Sequence, residues 1–254
     1  MCEFINKSII FLMRELLKKL KKANCLLFID FEGTQFTHEI IAVGAVKCYI
    51  DENGNLLDYD KEGLKCYVKA RSQIGPLVSK MTSINESLLK EKGISWDEAI
   101  LMIDNYLGED RDDTCIISFG NNDARMIHDS NRYSHPKNLH ITKKWFNHYF
   151  DFLTFINNYI RDERGNNYSL VNYLHLFNLT PHGVSHDPLN DAFDLMNLFF
   201  AFLKEKDIVY SKYLNVLLHE KKIPDPIKSM IKKLSSGLDL SSEEFKQMMY
   251  DYLK

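Results

Sequence analysis

Three stretches of this sequence hold side chains able to do chemistry together. FIDFEGT, residues 28–34, carries Asp30 and Glu32 two apart. On a strand that spacing sends both carboxylates to one face, about 6–7 Å apart along the chain. Two acids so placed repel each other, and partial burial makes the repulsion worse. No Lys or Arg lies nearby in sequence, so a divalent metal ion is the natural counter-charge; a solvated strand end is the alternative. ISFGNNDARMI, residues 117–127, puts Asp123 in the first turn of a helix, where a carboxylate also favours the positive end of the helix dipole. SHDPLNDAFD, residues 185–194, reads as a helix start, with Asp187 as the cap and Pro188 as the first helical residue. Capping leaves His186 and Asp191 unexplained. A histidine titrates near pH 6.5, close to what a general base at neutral pH requires.

These side chains meet only if the right elements carry them. CLLFIDF (25–31) is a short apolar strand, EIIAVGAVKCYI (39–50) a long β-branched one and GLKCYVKA (63–70) an alternating one. Asn53-Gly54 between the last two is a favoured hairpin turn, so strand 2 runs antiparallel to its neighbour. DDTCIISFG (112–120) is a fourth strand running into the helix of Asp123. If it neighbours the first strand, about 4.8 Å away, Asp123 approaches the Asp30/Glu32 pair. Ser95–Glu98 is a capping-box pattern ahead of a face formed by Trp96, Ile100, Ile103 and Leu107. Asp151 caps a helix, Ser169 caps another through Phe177, and Asp187 begins a third, with the stripe Ala192, Leu195, Phe199 and Leu203, ending near Lys204. The expected fold is α/β: a mixed sheet of about five strands flanked by helices, followed by a helical C-terminal extension. That extension, 207–254, is broken by Pro224 and Pro226; its capping-box pattern Ser241–Glu244 precedes Met248, Met249 and Tyr252, expected as core packing.

Bulk properties bound the function. The chain has 254 residues and a net charge of −3, so no global positive field attracts nucleic acid, and any polyanion must be held by local basic groups or metal ions. Its five cysteines form no CxxC pair, and Cys25, Cys48, Cys66 and Cys115 lie in or beside apolar runs, as buried thiols in a reducing compartment would. Residues 1–23 form an amphipathic helix (Ile9, Leu12, Met13, Leu16, Leu20) rather than a signal peptide, because charges interrupt its apolar run. Nothing else approaches a membrane span, and a cytoplasmic protein is expected.

Taken in order, Asp30, Glu32, Asp123 and Asp191, with His186 five residues before the last, make the sequence resemble the DEDDh 3′→5′ exonucleases of the ribonuclease H-like fold. That superfamily includes proofreading subunits and ribonuclease T. FIDFEGT, SFGNND and HDPLND match its three motifs, and MTSI (81–84) stands where the family often has a Leu-Thr-Gly-Ile-like segment. The resemblance covers residues 24–206. The second motif leans toward the RNA-trimming branch, and Pro188 departs from the small residue usual there.

The resemblance implies hydrolysis of phosphodiester bonds at the 3′ ends of single-stranded RNA or DNA, RNA somewhat ahead, releasing nucleoside monophosphates. It implies two Mg2+ or Mn2+ ions about 3.5–4 Å apart, with Asp30 bridging both, Glu32 and Asp191 on the nucleophile side and Asp123 on the other. His186 would take a proton from the attacking water. Gly33 and Thr34 lie where the family holds the terminal nucleotide, and Phe36 is read either as a stacking partner for a base or as a plain exposed or core aromatic. Arg125, Lys137, Lys143 and Lys144 are candidates for a phosphate-facing edge, with scattered surface charge the plainer reading of each. The other eight histidines show no ligand spacing and are read as surface or core residues. Two alternatives stay open: a catalytically weak nuclease fold whose C-terminal helices recruit an unknown protein partner, and a phosphodiesterase for very short oligonucleotides.

Overall fold

The computed structural model describes residues 15–20 and 23–254. Its strands are β1 (Cys25–Gly33), β2 (Ile40–Ile50), β3 (Leu56–Tyr59), β4 (Leu64–Val68), β5 (Gly93–Ile94), β6 (Thr114–Ser118) and β7 (Tyr149–Asp151). They form one mixed sheet of seven strands in the order β5-β4-β2-β1-β6-β7, with β3 added on β2. β2 runs antiparallel to β1, β3 and β4, while β6 lies parallel to both β1 and β7. The expected mixed sheet is present, but with seven strands rather than about five. β3, β5 and β7 have four, two and three residues, too few to develop a period-two pattern.

Helices α1 (Pro76–Thr82), α2 (Glu86–Lys92) and α3 (Trp96–Leu107) precede β6, and α4 (Asn121–Ser134) and α5 (Leu139–Trp145) follow it. After β7 come α6 (Phe152–Ile156), α7 (Leu170–Leu176) and α8 (Pro188–Lys204). Ser95 and Glu98 close a complete capping box at α3, and the Asp151, Ser169 and Asp187 side chains each accept an N–H at the start of α6, α7 and α8.

The alternation of β1 sorts its side chains between two cores. Leu26 and Phe28 pack with Val46, Cys48 and the α8 residues Ala192, Leu195 and Phe199. Leu27, Ile29 and Phe31 pack on the other face with Trp96, Ile100 and Ile103 of α3. Continuing the same alternation puts Asp30 and Glu32 on the α8 face. Gly44, paired with Asp30 across the sheet, lets α8 reach them. A Cβ there would lie 2.0 Å from the Pro188 carbonyl carbon and 2.2 Å from the Leu189 nitrogen, so any other residue would push the first turn of α8 off the sheet.

Residues 15–19 are helical, and Leu16 and Leu20 are buried in the α8-side core. Ile9, Leu12, Met13 and Cys2 fall outside the described residues. Beyond α8 the chain continues as α9 (Lys206–His219), α10 (Asp225–Ser235) and α11 (Ser242–Tyr252). The expected core packing of α11 is not found. No residue of α11 is buried, and Tyr252 is 53% exposed. Its capping pattern is half formed: Ser241 accepts the Glu244 N–H, while the Glu244 carboxylate is taken by Lys233 of α10. A helix leaning mainly on another surface helix has nowhere to bury a stripe. The four described cysteines are buried, and no helix among the described residues is long and apolar enough to cross a membrane.

Candidate active site

Asp30 and Glu32 stand at the carboxyl end of β1, beside the end of β6, which turns through Gly120 at φ 110° into α4. That turn brings Asp123 back against β1. Asp123 is only 4% exposed, and its carboxylate accepts the Phe31 N–H at 3.3 Å. A carboxylate serving only the helix dipole would remain in water, so burial against β1 sets Asp123 apart from that reading. From the opposite side, Asp191 projects from the first turn of α8, and one of its oxygens accepts the His186 N–H at 3.1 Å. The His186 imidazole is 43% exposed, with Nδ1 3.7 Å from a Glu32 oxygen. Glu32, His186 and Asp191 each offer a ligand atom within 4.8 Å of the other two, a group able to hold a metal ion. Asp30, Asp123 and these three residues line one cleft of about 640 Å³.

The electrostatics are those of crowded acids. Burial first, then Asp123, Glu32 and Asp191, hold the Asp30 carboxyl well above the usual range. Burial, followed by repulsion from Asp191, Asp123 and Asp187, pushes Glu32 up to about 8. Asp191 is raised to about 6, again chiefly by burial, with His186 pulling the other way. Asp123 is raised by burial despite the backbone N–H groups it accepts. The strongest influences on Asp30 and Glu32 are burial and other carboxylates, so a divalent cation among them would relieve the repulsion, and hard oxygen donors suit Mg2+ or Mn2+.

The family model for RNase_T, described as an exonuclease, matches residues 27–199, a span from β1 into α8 that contains every acid above. The chain belongs to this exonuclease family. A search of curated proteins finds no match. Solved structures share the fold at low identity. A full-length 3′-exonuclease aligns with a TM-score of 0.56 and 13% identity, covering 72% of this chain and 61% of its own. The nuclease domain of 3′hExo, a DEDDh family member bound to rAMP, aligns at 0.56 and 15%, covering 72% of this chain and 93% of the domain. E. coli exonuclease I in complex with a dA16 oligonucleotide aligns at 0.55 and 16%, covering 82% of this chain and 45% of that one.

In this exonuclease-family chain the expected substrate contacts divide. Gly33 lines the cleft where a Cβ would sit 2.5 Å from Met126 Sδ. Thr34 also borders the cleft but is 1% exposed, and its hydroxyl is engaged with Thr37 and the Glu39 N–H. Its hydroxyl braces the loop. Phe36 is 75% exposed and is not among the cleft-lining residues. Arg125 is in the cleft wall, 3.6 Å from Asp129; Lys137, Lys143 and Lys144 are not, and Lys144 pairs with Asp112.

Two other cleft residues, His38 and Leu77, carried no sequence signal. His38 lines the cleft from a left-handed backbone, φ 54°, so it is neither a plain surface nor a core histidine. Leu77 and Met81 of α1 form an exposed apolar wall of the same cleft. MTSI ends α1: Ser83 takes φ 59°, and Ile84 is buried with Ile41, Ile74 and Leu89. Lys65 of β4 pairs with Asp187, tying the start of α8 to the sheet. A serine or histidine at positive φ has no local signature comparable to glycine's, and Lys65 is 122 residues from Asp187.

Proposed function

We propose that this protein is a divalent-metal-dependent 3′→5′ exonuclease that releases nucleoside monophosphates from single-stranded ends, RNA ahead of DNA. The observation that carries the reading is the meeting of Asp30, Glu32, Asp123, Asp191 and His186 in one cleft within an exonuclease-family fold. Asp30, Glu32, Asp123 and Asp191 would hold the metal. Bound there, Mg2+ or Mn2+ supplies charge stabilisation to the phosphodiester and lowers the pKa of the attacking water. His186 takes the proton released as the water oxygen bonds to phosphorus; its half-exposed ring lies beside Glu32 and open to the cleft. The bond to the 3′ oxygen of the penultimate nucleotide breaks, and the terminal nucleotide leaves with its 5′ phosphate. Asp191 fixes the His186 backbone while its other oxygen remains available. Leu77 and Met81 give bases an apolar wall, and Arg125 gives the backbone a cation.

Residues 24–206 constitute the catalytic unit in this reading, with an N-terminal helix and a C-terminal helical extension against it. The preference for RNA rests on the second motif, and the buried cysteines suit a cytoplasmic setting. The test is a digest of matched RNA and DNA oligomers labelled at either end, with Mg2+, Mn2+ or EDTA. Stepwise shortening from the 3′ end that stops with EDTA is expected. Attack from the 5′ end, internal cleavage, or activity indifferent to EDTA would overturn the reading.

A further inference from the structure

The loop 182–187, which delivers His186, is stitched along a single stripe of α8. Asp187 caps the helix by accepting the Leu189 N–H at 3.1 Å. Asn190 Nδ2 donates to the Val184 carbonyl at 3.3 Å, and Asp191 accepts the His186 N–H at 3.1 Å. Asp194 then accepts both the backbone N–H of His182 at 2.9 Å and its ring Nδ1–H at 2.7 Å. Positions 187, 190, 191 and 194 follow the i, i+3, i+4, i+7 spacing that faces one way on a helix, so the first two turns of α8 present a polar seam to the loop.

Asp194 is the buried carboxylate of that seam that lies outside the acid set. It is 2% exposed, sits among the apolar residues Leu195, Leu198 and Phe199 of the same helix, and is not among the cleft-lining residues. A carboxylate buried there is unfavourable unless it is paired. Both its recorded donors belong to His182, whose ring is stacked on Phe193 with centroids 5.6 Å apart and planes at 28°. Four residues later His186 has φ 65°, a backbone conformation sparsely populated by residues other than glycine. Such a residue keeps its geometry only when the surroundings impose it. Here they do so at two points: the His186 N–H on Asp191, and the anchor of the loop at Asp194.

We propose that Asp194 and His182 form the positioning pair for His186, holding the loop so that the His186 imidazole faces Glu32 and the cleft. This rests on the reading of His186 as the base. His182 acts through His186 and touches neither the acids nor the substrate. The surface position of its ring, 45% exposed, makes it replaceable without opening the core, so the test falls on His182 rather than Asp194. His182→Ala and His182→Asn would be compared with His186→Ala and the His182→Ala/His186→Ala double variant, using a 3′-labelled oligomer, Mn2+ titration and thermal melts. His182→Ala is expected to lower kcat about 10-fold or more with KM, the Mn2+ midpoint and the melt little changed. His182→Asn, which keeps a donor at the Nδ1 position, should recover most of the rate. In the His186→Ala background the second substitution should cost nothing further. A wild-type kcat for His182→Ala, or a loss that adds in full to that of His186→Ala, overturns the proposal. The ring resonances of His186 give a readout free of activity: they should shift or broaden in His182→Ala, and unchanged signals overturn the positioning role even if no oligomer is cleaved. An inactive wild type whose His186 signals still respond to His182 would instead refute the exonuclease reading alone.

Discussion

At Asp30, binding a cation and stability are in direct opposition. Its carboxyl is held well above the usual range, by burial first and then by Asp123, Glu32 and Asp191, and carboxylates that repel one another unassisted are what a divalent ion requires. Asp30→Asn keeps the shape and removes one charge. Metal-dependent nucleotide release should fall to background, while the EDTA-treated variant melts at a higher temperature than the EDTA-treated parent. Retained release would remove Asp30 from the metal set. His186→Ala should behave otherwise: turnover drops by roughly 10²–10⁴-fold while the Mn2+ titration midpoint holds, because in the proposed reaction the ring is the proton acceptor and the acids are the ligands. Loss of both together would make the histidine a ligand. The acids and His186 were legible as residue types because each stands at a spacing that chain geometry interprets. The burial of Thr34 and the exposure of Phe36 were not, since placement one side or the other of a loop wall depends on Glu39, which accepts N–H groups from Arg71 and Ser72, far from it in sequence.

At the scale of elements, the approach of α8 to β2 governs whether the acids meet, and Gly44 governs that approach. Gly44→Ala places a methyl 2.0 Å from the Pro188 backbone. Overpacking of this kind typically costs about 1–3 kcal/mol, and the strain must be relieved by lifting the turn that carries Asp191. Both the melting temperature and the Mn2+ affinity should fall, and an unchanged affinity would mean that α8 is not what sets the ligand geometry. Nothing in VGAV marks that glycine, since a glycine inside a strand reads equally as a bulge or a close approach. Turn chemistry was clearer. Asp51-Glu52-Asn53-Gly54-Asn55 forms a turn in which Asp51 accepts the N–H groups of Asn53 and Asn55, with Gly54 at φ 80°. Asp162-Glu163-Arg164-Gly165-Asn166 repeats the pattern, with Asp162 accepting from Arg164 and Asn166 and Gly165 at φ 82°. The first turn was readable as a hairpin, although the strand it leads into is β3, not β4. The second could have been found by the same rule. Strands of two to four residues could not, because pairing with β2, β4 and β6 makes them strands rather than their own pattern.

For the whole molecule, the crowded acids couple stability to pH and metal together. Glu32, raised to about 8, and Asp191, raised to about 6, bind protons in the folded state that the unfolded chain, with carboxylates near 4, has already released. Between roughly pH 4 and pH 8 the folded protein therefore holds more protons, and its stability falls as pH rises through that window. This is the reverse of a carboxylate pulled low by partners, such as Glu39, where burial is outweighed by hydrogen bonds from Ser72, Arg71 and Thr37; its contribution is present at neutral pH and is lost on acidification. After EDTA treatment the melting temperature should be lower at pH 8 than at pH 6. Mn2+ should reverse the order, since the ligands must be deprotonated to bind it, and ligand binding to the folded state stabilises by mass action. The Mn2+-induced rise should accordingly be larger at pH 8 than at pH 6. Asp30→Asn separates the acid cluster from the rest of the chain: its metal-free melt should depend less on pH, and Mn2+ should move it little. A pH slope identical to the parent's would place the titrating groups elsewhere and break the link between these carboxylates and a bound cation.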